Sequence, residues 1–221
     1  MIINHLTLQN LFGKAVAGEV GTGTGAVTQI VARWSDSLSQ AGIRPLEKYV
    51  CVDSSVEMCD AVTKTISQFN KKNYFKITRG LDFQGLRSSV SGIGKYDLVC
   101  GSLILHYLLE APGKREDWAQ FAVQLDDMLS PNGVAIFGGC YFEDDERRHQ
   151  QLHWWRQSMV QRGLEEAVVE EFISGNSAMC CMPSASFIEE CSNGKFLATF
   201  DGLGVRRSPF GVLTLRRSKK V

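Results

Sequence analysis

The sequence predicts an α/β protein: a doubly wound, mostly parallel seven-stranded sheet with helices on both faces and an antiparallel carboxyl-terminal strand pair. Apolar segments of strand length alternate with segments of helical periodicity up to about residue 163. Two strand-like segments then follow each other near the end of the chain with no helix between them. The 221 residues, 44% of them hydrophobic, suffice for one domain with a sizeable core.

The parallel part of the sheet takes five short apolar strands. These are 14–20, 48–53, 74–78, 96–102 and 134–142. Because ligands of open parallel sheets bind beyond the carboxyl ends of the strands, the residues just after these strands are where a site is expected.

The segments between these strands have helical spacing or turn chemistry. Helices are predicted over 26–42, 55–70 and 115–130, the first of them ending at Gly42 ahead of Pro45. The glycine- and serine-rich segment 87–95 predicts a short helix or a loop, and "PNG" at 131–133 predicts a turn.

The last third of the chain has a different pattern. Residues 143–175 predict two helical segments broken near Gly163, and 184–194 predict a short helix that ends at a glycine. Segments 196–208 and 210–218 predict the antiparallel strand pair, joined through Pro209.

Charge, hydropathy and cysteine usage argue against several classes of protein. Twenty-four basic residues balance twenty-four acidic ones, which argues against a nucleic-acid partner. No apolar run approaches the roughly 20 residues of a membrane span, and the first residues lack a signal peptide, so a cytoplasmic protein is expected. The seven cysteines form no C-x-x-C and have no metal-ligand spacing to histidine, so reduced thiols and no metal site are expected.

The segment "GEVGTGTGAV" (18–27) carries the main functional signal. Three glycines, Gly21, Gly23 and Gly25, follow a strand and open a helix, where glycine allows unusual backbone angles and the helix offers free N–H groups. The spacing is ambiguous, because Gly21, Gly23 and Ala26 also fit the dinucleotide fingerprint G-x-G-x-x-A.

Two carboxylates argue against a dinucleotide. Glu19 precedes Gly21 by two residues, where it would repel a pyrophosphate but accept hydrogen bonds from an ammonium group. Asp53 closes the second strand and can accept hydrogen bonds from both hydroxyls of a ribose. The alternatives are an incidental surface charge for Glu19 and a helix N-cap role for Asp53 in "DSSVE".

With these residues the sequence resembles the class I S-adenosylmethionine-dependent methyltransferases, which have a Rossmann-like fold. The resemblance rests on Glu19-x-Gly21-x-Gly23-x-Gly25 and on Asp53. It continues in the segments "GLDF" (80–83), "YDLVCGSLILHYL" (96–108) and "LSPNGVAIF" (129–137). It implies a single methyltransferase-like domain over 1–221, made of a cofactor-binding core (14–142), a helical cover for the acceptor (143–195) and the strand pair (196–218).

The resemblance implies S-adenosyl-L-methionine as the cofactor. The loop formed by Gly21, Thr22, Gly23 and Gly25 would wrap its methionine part, and Glu19 would meet its amino group. The other implied contacts are Asp53 at the ribose hydroxyls, Ser54 and Met58 beside the ribose or adenine, Asp82 at the adenine amino group, Phe83 beside the ring, and Ser102 and Leu103 on the methyl-donor side. For Met58 and Phe83 a plain core position is the alternative.

The acceptor side has weaker signals. His106, just after the fourth strand, is the candidate general base, and Tyr107 a candidate hydrogen-bond partner; packing in the core is the alternative for both. In the segment 141–162, Arg148 and Trp155 are candidate substrate-binding residues, and a solvated charged helix is the alternative. No N-P-P-Y-type motif follows the fourth strand, which favours a small organic acceptor over nucleic acid.

The predicted function is therefore S-adenosylmethionine-dependent methylation of a small molecule. A non-catalytic cofactor-binding protein with a regulatory or scaffold role is the alternative, and an NAD-dependent oxidoreductase is a third. Only residues 1–13 precede the first predicted strand, whereas members of the family usually carry helices there. Because such helices help to close the site, the lid is expected to be incomplete, to be supplied by a partner subunit, or to be lost together with catalytic function.

Overall fold

A computed structural model describes residues 15–43, 46–69, 74–80, 85–87, 95–102, 104–109, 114–140, 145–177, 184–202 and 210–218. Its seven strands are β1 (Val16–Val20), β2 (Lys48–Asp53), β3 (Phe75–Arg79), β4 (Tyr96–Ser102), β5 (Leu129–Cys140), β6 (Phe196–Gly202) and β7 (Phe210–Arg217).

Helices connect most of these strands. They are α1 (Ala26–Gln40), α2 (Val56–Ser67), α3 (Leu105–Leu108), α4 (Arg115–Met128), α5 (Asp145–Gln161), α6 (Glu166–Ser177) and α7 (Ala185–Cys191). Gly163, with φ of 85°, separates α5 from α6, as the sequence predicts. Among the described residues, no helix is long and apolar enough to cross a bilayer.

The seven strands form one sheet in the order β3-β2-β1-β4-β5-β7-β6. Strands β1 to β5 pair in parallel, and β7 pairs antiparallel with both β5 and β6. The predicted mixed sheet and its antiparallel end are thereby confirmed. The chain winds outward from β1 in one direction through β2 and β3, and in the other through β4 and β5. The carboxyl end of β1 therefore lies at the switch point of strand order, where open sheets of this kind bind their ligands.

The prediction of a turn at 131–133 ahead of the fifth strand is wrong, because these residues belong to β5. Leu129 pairs with Tyr96, and pairing resumes between Val134 and Leu98, so β5 carries three extra residues there. Pro131 is tolerated in the strand because a residue in a bulge need not donate a hydrogen bond to the neighbouring strand. Glycine is required at position 133, since a Cβ there would lie 2.9 Å from the carbonyl oxygen of Tyr96.

Each face of the sheet carries its own apolar core. On one face α4 and α7 bury side chains such as Trp118, Phe121 and Ile188. On the other face α1 and α2 bury Val31 and Val62, among others. Strand residues alternate between the two cores, as expected for strands buried on both sides. Parts of six predicted elements lie outside the described residues: the start of the first strand, the last residue of the helix 55–70, most of the segment 87–95, the end of the strand 134–142, the start of the segment 143–175 and the end of the segment 196–208.

Candidate active site

The loop between β1 and α1 has the backbone conformation that its glycines allow. Gly21, Gly23 and Gly25 have φ of 62°, 55° and 86°, in the left-handed region that other residues rarely adopt. Gly25 is also the N-cap residue of α1. Glycine is therefore needed at each of the three positions for the chain to leave β1 and enter the helix.

Two of these glycines are packed against protein, and the third faces open space. A Cβ on Gly21 would lie 2.4 Å from Cδ1 of Ile104, and one on Gly25 would lie 3.1 Å from Cγ2 of Val62. A Cβ on Gly23 would have no described heavy atom within 4 Å. The loop is held on both sides, and Gly23 is the residue at which a ligand has room to approach.

Hydrogen bonds tie the loop to the carboxyl end of β2. The N–H of Gly23 donates to Oδ2 of Asp53 at 2.8 Å. The N–H and Oγ1 of Thr22 both donate to the carbonyl oxygen of Val52, at 3.2 and 3.1 Å. Thr22 is buried, so its side chain anchors the loop to the sheet.

Asp53 joins the loop to the start of α2. Its Oδ1 accepts a hydrogen bond of 3.0 Å from the N–H of Ser55. The N-cap of α2 is Ser55 itself, whose Oγ accepts from the N–H of Met58. The N-cap interpretation of Asp53 is therefore wrong. From the described residues, each oxygen of Asp53 accepts one hydrogen bond, which leaves a lone pair for a further donor.

Glu19 is buried beneath the loop, so its interpretation as a surface charge is wrong. The residue is 1% exposed. Its Oε2 accepts two hydrogen bonds, one of 2.7 Å from Oγ1 of Thr28 and one of 2.8 Å from the hydroxyl of Tyr49. Burial raises the pKa of Glu19 to about 7, although both hydrogen bonds favour the carboxylate. The negative charge of Asp53 raises this pKa further.

Two buried thiols flank Glu19. Its register partners in the sheet are Cys51 on β2 and Cys100 on β4. Sγ of Cys51 lies 3.6 Å from Oγ1 of Thr28, and Sγ of Cys100 lies 3.6 Å from the hydroxyl of Tyr49. Burial raises the pKa of both thiols and that of Tyr49 well above their usual values, so all three stay protonated.

Sequence reasoning missed Tyr49 and Thr28. Tyr49 precedes Cys51 by two residues, which puts both on one face of β2, and its hydroxyl is a polar group in the buried middle of that strand. Thr28 lies one helical turn beyond Gly25, on the buried side of α1. These signals show that both residues are buried, but not that they meet Glu19.

A family model described as "Methyltransferase domain" matches residues 19–135, more than half of the chain. The chain belongs to the methyltransferase domain family. The matched segment begins at Glu19, and it contains the glycine loop and Asp53. The resemblance to class I methyltransferases seen in the sequence is thereby confirmed for family and fold. A sequence comparison with curated proteins gives no significant match.

Solved structures with the same fold carry methyltransferase names. An rRNA methylase from Streptococcus thermophilus is 12% identical, with a TM-score of 0.53 and coverage of 99% of this chain and 95% of that chain. The N-methyltransferase NodS from Bradyrhizobium japonicum WM9, in complex with S-adenosyl-L-homocysteine, is 12% identical, with a TM-score of 0.53 and coverage of 99% and 85%. An O-methyltransferase family protein from Burkholderia thailandensis is 16% identical, with a TM-score of 0.59 and coverage of 100% and 56%.

The structure describes three other residues predicted to contact the cofactor: Ser54 and Ser102 lie at strand ends, and Met58 lies on α2. Ser54 is exposed, and its carbonyl oxygen accepts a hydrogen bond of 3.4 Å from Nε of Arg79. Met58 is 36% exposed on α2, so the plain core alternative is wrong for it. Ser102 is exposed at the end of β4, where it pairs with Gly138 of β5.

Several predictions fall outside what the structure describes. Asp82, Phe83 and Leu103 are not among the described residues. His106 and Tyr107 lie in α3, directly after β4, and Arg148 lies in α5, but their side chains are outside the described part. Within that part, no group of three or more His, Cys, Asp or Glu residues could hold a metal ion.

The helices α5 and α6 of the methyltransferase pack against each other. The rings of Trp155 and Phe172 have centroids 6.2 Å apart, and Arg156 forms an ion pair with Glu170. Trp155 is half-buried by this packing. Trp154, its neighbour in the chain, is 42% exposed.

Proposed function

We propose that this methyltransferase transfers a methyl group from S-adenosyl-L-methionine to a small organic acceptor. The hydrogen bond from Gly23 to Asp53 carries the proposal, because it joins the glycine loop and the carboxylate at the carboxyl ends of two neighbouring strands. The open space beside Gly23 and the spare lone pairs of Asp53 fit an adenosyl amino acid.

The residues proposed to hold the cofactor surround this loop. The backbone from Gly21 to Gly25 would hold the methionine part, with Glu19 at its ammonium group and Asp53 at the ribose hydroxyls. The further proposed contacts are Ser54, Met58, Asp82, Phe83, Ser102 and Leu103.

When bound, S-adenosyl-L-methionine supplies an activated methyl group on a positively charged sulfur. The protein then has to bind the cofactor and the acceptor, to align the acceptor with the methyl group and to exclude water. His106 is proposed to take the acceptor's proton where the acceptor must lose one, and Tyr107 to hydrogen-bond the acceptor. Both follow β4 directly, at the ligand-binding edge of the sheet.

The choice of a small acceptor is supported by charge and by the position of α5 and α6. The balance of twenty-four basic and twenty-four acidic residues lacks the basic surplus of a typical RNA-binding domain. The two helices follow β5, and we propose that they cover the acceptor, with Arg148 and Trp155 as its contacts. The same proposal includes one methyltransferase-like domain, a cytoplasmic location and a homodimer.

Calorimetric titration tests the cofactor. S-adenosylmethionine and S-adenosylhomocysteine are expected to bind, and NADH is the control that should not. Binding of NADH alone would reject the proposal.

Turnover then tests the acceptor. Small organic acids and phenols, and a ribosomal RNA fragment, are offered with labelled S-adenosylmethionine. Label on a small molecule supports the proposal. Label on RNA alone would contradict the small-acceptor part, and binding without any turnover would favour the regulatory alternative.

A further inference from the structure

Two buried hydroxyl groups donate hydrogen bonds to the carboxylate of Glu19. Tyr49 of β2 and Thr28 of α1 both donate to Oε2, at 2.8 and 2.7 Å. From the described residues, no hydrogen bond reaches Oε1. Within the described part of the chain, Oε2 is thus occupied by two donors and Oε1 by none.

The two donors are held rigidly. Both residues are 0% exposed. Tyr49 packs against the ring of Phe75 with centroids 5.5 Å apart, and Thr28 lies in the first turn of the fifteen-residue helix α1. Neither hydroxyl can turn away to water, so the carboxylate keeps one orientation under the glycine loop.

We propose that Tyr49, together with Thr28, is a positioning residue that favours the ionised form of Glu19 and orients its carboxylate for the ammonium group of the cofactor. This inference rests on the proposed function, because it concerns the same cofactor site. Tyr49 would not touch the ligand; it would act through Glu19.

The charge state of Glu19 then controls affinity for a ligand with an ammonium group. The titratable groups that face it are Tyr49, Cys51 and Asp53 from β2 and Cys100 from β4, while the first two turns of α1 carry no charged side chain. Tyr49 and both thiols stay protonated, and Asp53 opposes the ionisation of Glu19. The hydroxyls of Thr28 and Tyr49 are therefore what favours the carboxylate against burial.

The first arm of the test needs no ligand. The carboxyl carbon of Glu19 is followed by NMR across pH in protein labelled with ¹³C-glutamate, and its signal is assigned by its loss in Glu19→Gln. Tyr49→Phe should raise the titration midpoint by about one pH unit, the equivalent of one lost hydrogen bond to a charged group. Tyr96→Phe is the matched control, because Tyr96 is equally buried and its hydroxyl donates to the carbonyl of Leu86.

The second arm measures ligand affinity. Binding of S-adenosylhomocysteine should weaken about tenfold per pH unit below the Glu19 midpoint, and Tyr49→Phe should move the onset upward by the shift seen in the NMR. Tyr96→Phe should leave the profile in place. Methylthioadenosine, which lacks the amino-acid part, should show no such dependence on pH.

The outcomes separate this inference from the proposed function. Equal NMR midpoints in Tyr49→Phe and Tyr96→Phe would overturn it, as would a shifted NMR midpoint with an unchanged binding profile. Wild-type protein that binds no adenosyl ligand at any pH would contradict the proposed function and the ligand role of Glu19, while the NMR arm still reports on Tyr49. If Tyr49→Phe does not fold, Thr28→Val removes the other donor and should shift both midpoints in the same direction.

Discussion

The backbone N–H of Gly23 donates a 2.8 Å hydrogen bond to the carboxylate of Asp53, thirty positions away in the chain. This bond closes the glycine loop of β1 onto the end of β2. It places the two features that the sequence singles out, the glycine repeat and the acidic residue after the second strand, at one point on the sheet. Both belong to the segment matched by the methyltransferase family model.

Asp53→Ala is expected to weaken binding of S-adenosylhomocysteine about ten- to a hundredfold, the effect of losing hydrogen bonds to a charged group. The measurement is calorimetric titration, with thermal unfolding to show that the variant is folded. Asp60→Ala is the control, since Asp60 is an exposed carboxylate on α2. Equal affinities for the two variants would rule out the ribose role of Asp53.

Gly23→Ala is expected to cost ligand affinity beyond its cost in stability. Alanine with positive φ is strained by about 1–2 kcal/mol, and its Cβ would enter the space proposed for the cofactor. Gly42→Ala is the matched control, because Gly42 has φ of 75° and a Cβ there also meets no described heavy atom within 4 Å. Both variants should lose similar unfolding free energy in urea, and only Gly23→Ala should lose affinity. An unchanged affinity in Gly23→Ala would show that the ligand does not approach this residue.

Glu19 should make the fold less stable as pH rises. Its pKa is raised from 4.5 to about 7 in the folded protein, so between these values the folded state holds the proton more tightly than the unfolded state. The contribution of Glu19 to the free energy of unfolding is fully present below pH 4.5 and is lost as pH rises through about 7. The free energy of unfolding changes by about 3 kcal/mol over this range. Glu19→Gln should therefore be more stable than wild type at pH 8, and the difference should shrink at pH 5. Urea unfolding of both proteins at both pH values measures this difference in stability. A difference that does not depend on pH would contradict the raised pKa of Glu19.

His106→Ala is expected to lower turnover about a hundredfold or more while affinity for S-adenosylhomocysteine stays the same, if the acceptor must lose a proton to the protein. Single-turnover kinetics with an accepted substrate measures the first effect and calorimetry the second. The control is His153→Ala, because His153 lies exposed on α5 beside Gln157. Turnover equal to that of the control would assign His106 a structural role.

Local pattern was sufficient for most of the fold. The strands 48–53 and 96–102 were predicted to the residue, because each is a short apolar run bounded by polar or turn-forming residues. The fifth strand was predicted five residues too short at its start, since "PNG" favours a turn when it is considered alone. In the structure the same residues form a bulge, because β4 continues to pair with the chain on both sides of them.

The sequence predicts those features of the candidate site that depend on the chemistry of a single residue. Three alternating glycines between a strand and a helix favour a turn with left-handed backbone, and a carboxylate after a parallel strand falls at the ligand-binding edge. The partners of the carboxylates were not predictable. Asp53 could have capped α2 from its sequence context, and Ser55 does so instead, since the cap is decided by where the helix begins.

Residue type and short-range spacing are enough to predict the alternation of strands and helices, the glycine loop and the resemblance to a methyltransferase. The folded chain is needed to show that Glu19 is buried, that Tyr49 and Thr28 hold it, and that Ile104 packs on Gly21. The contacts of Glu19 with Tyr49 and of Gly21 with Ile104 join residues far apart in the chain. They depend on which strands are neighbours, and periodicity along a single segment does not specify that.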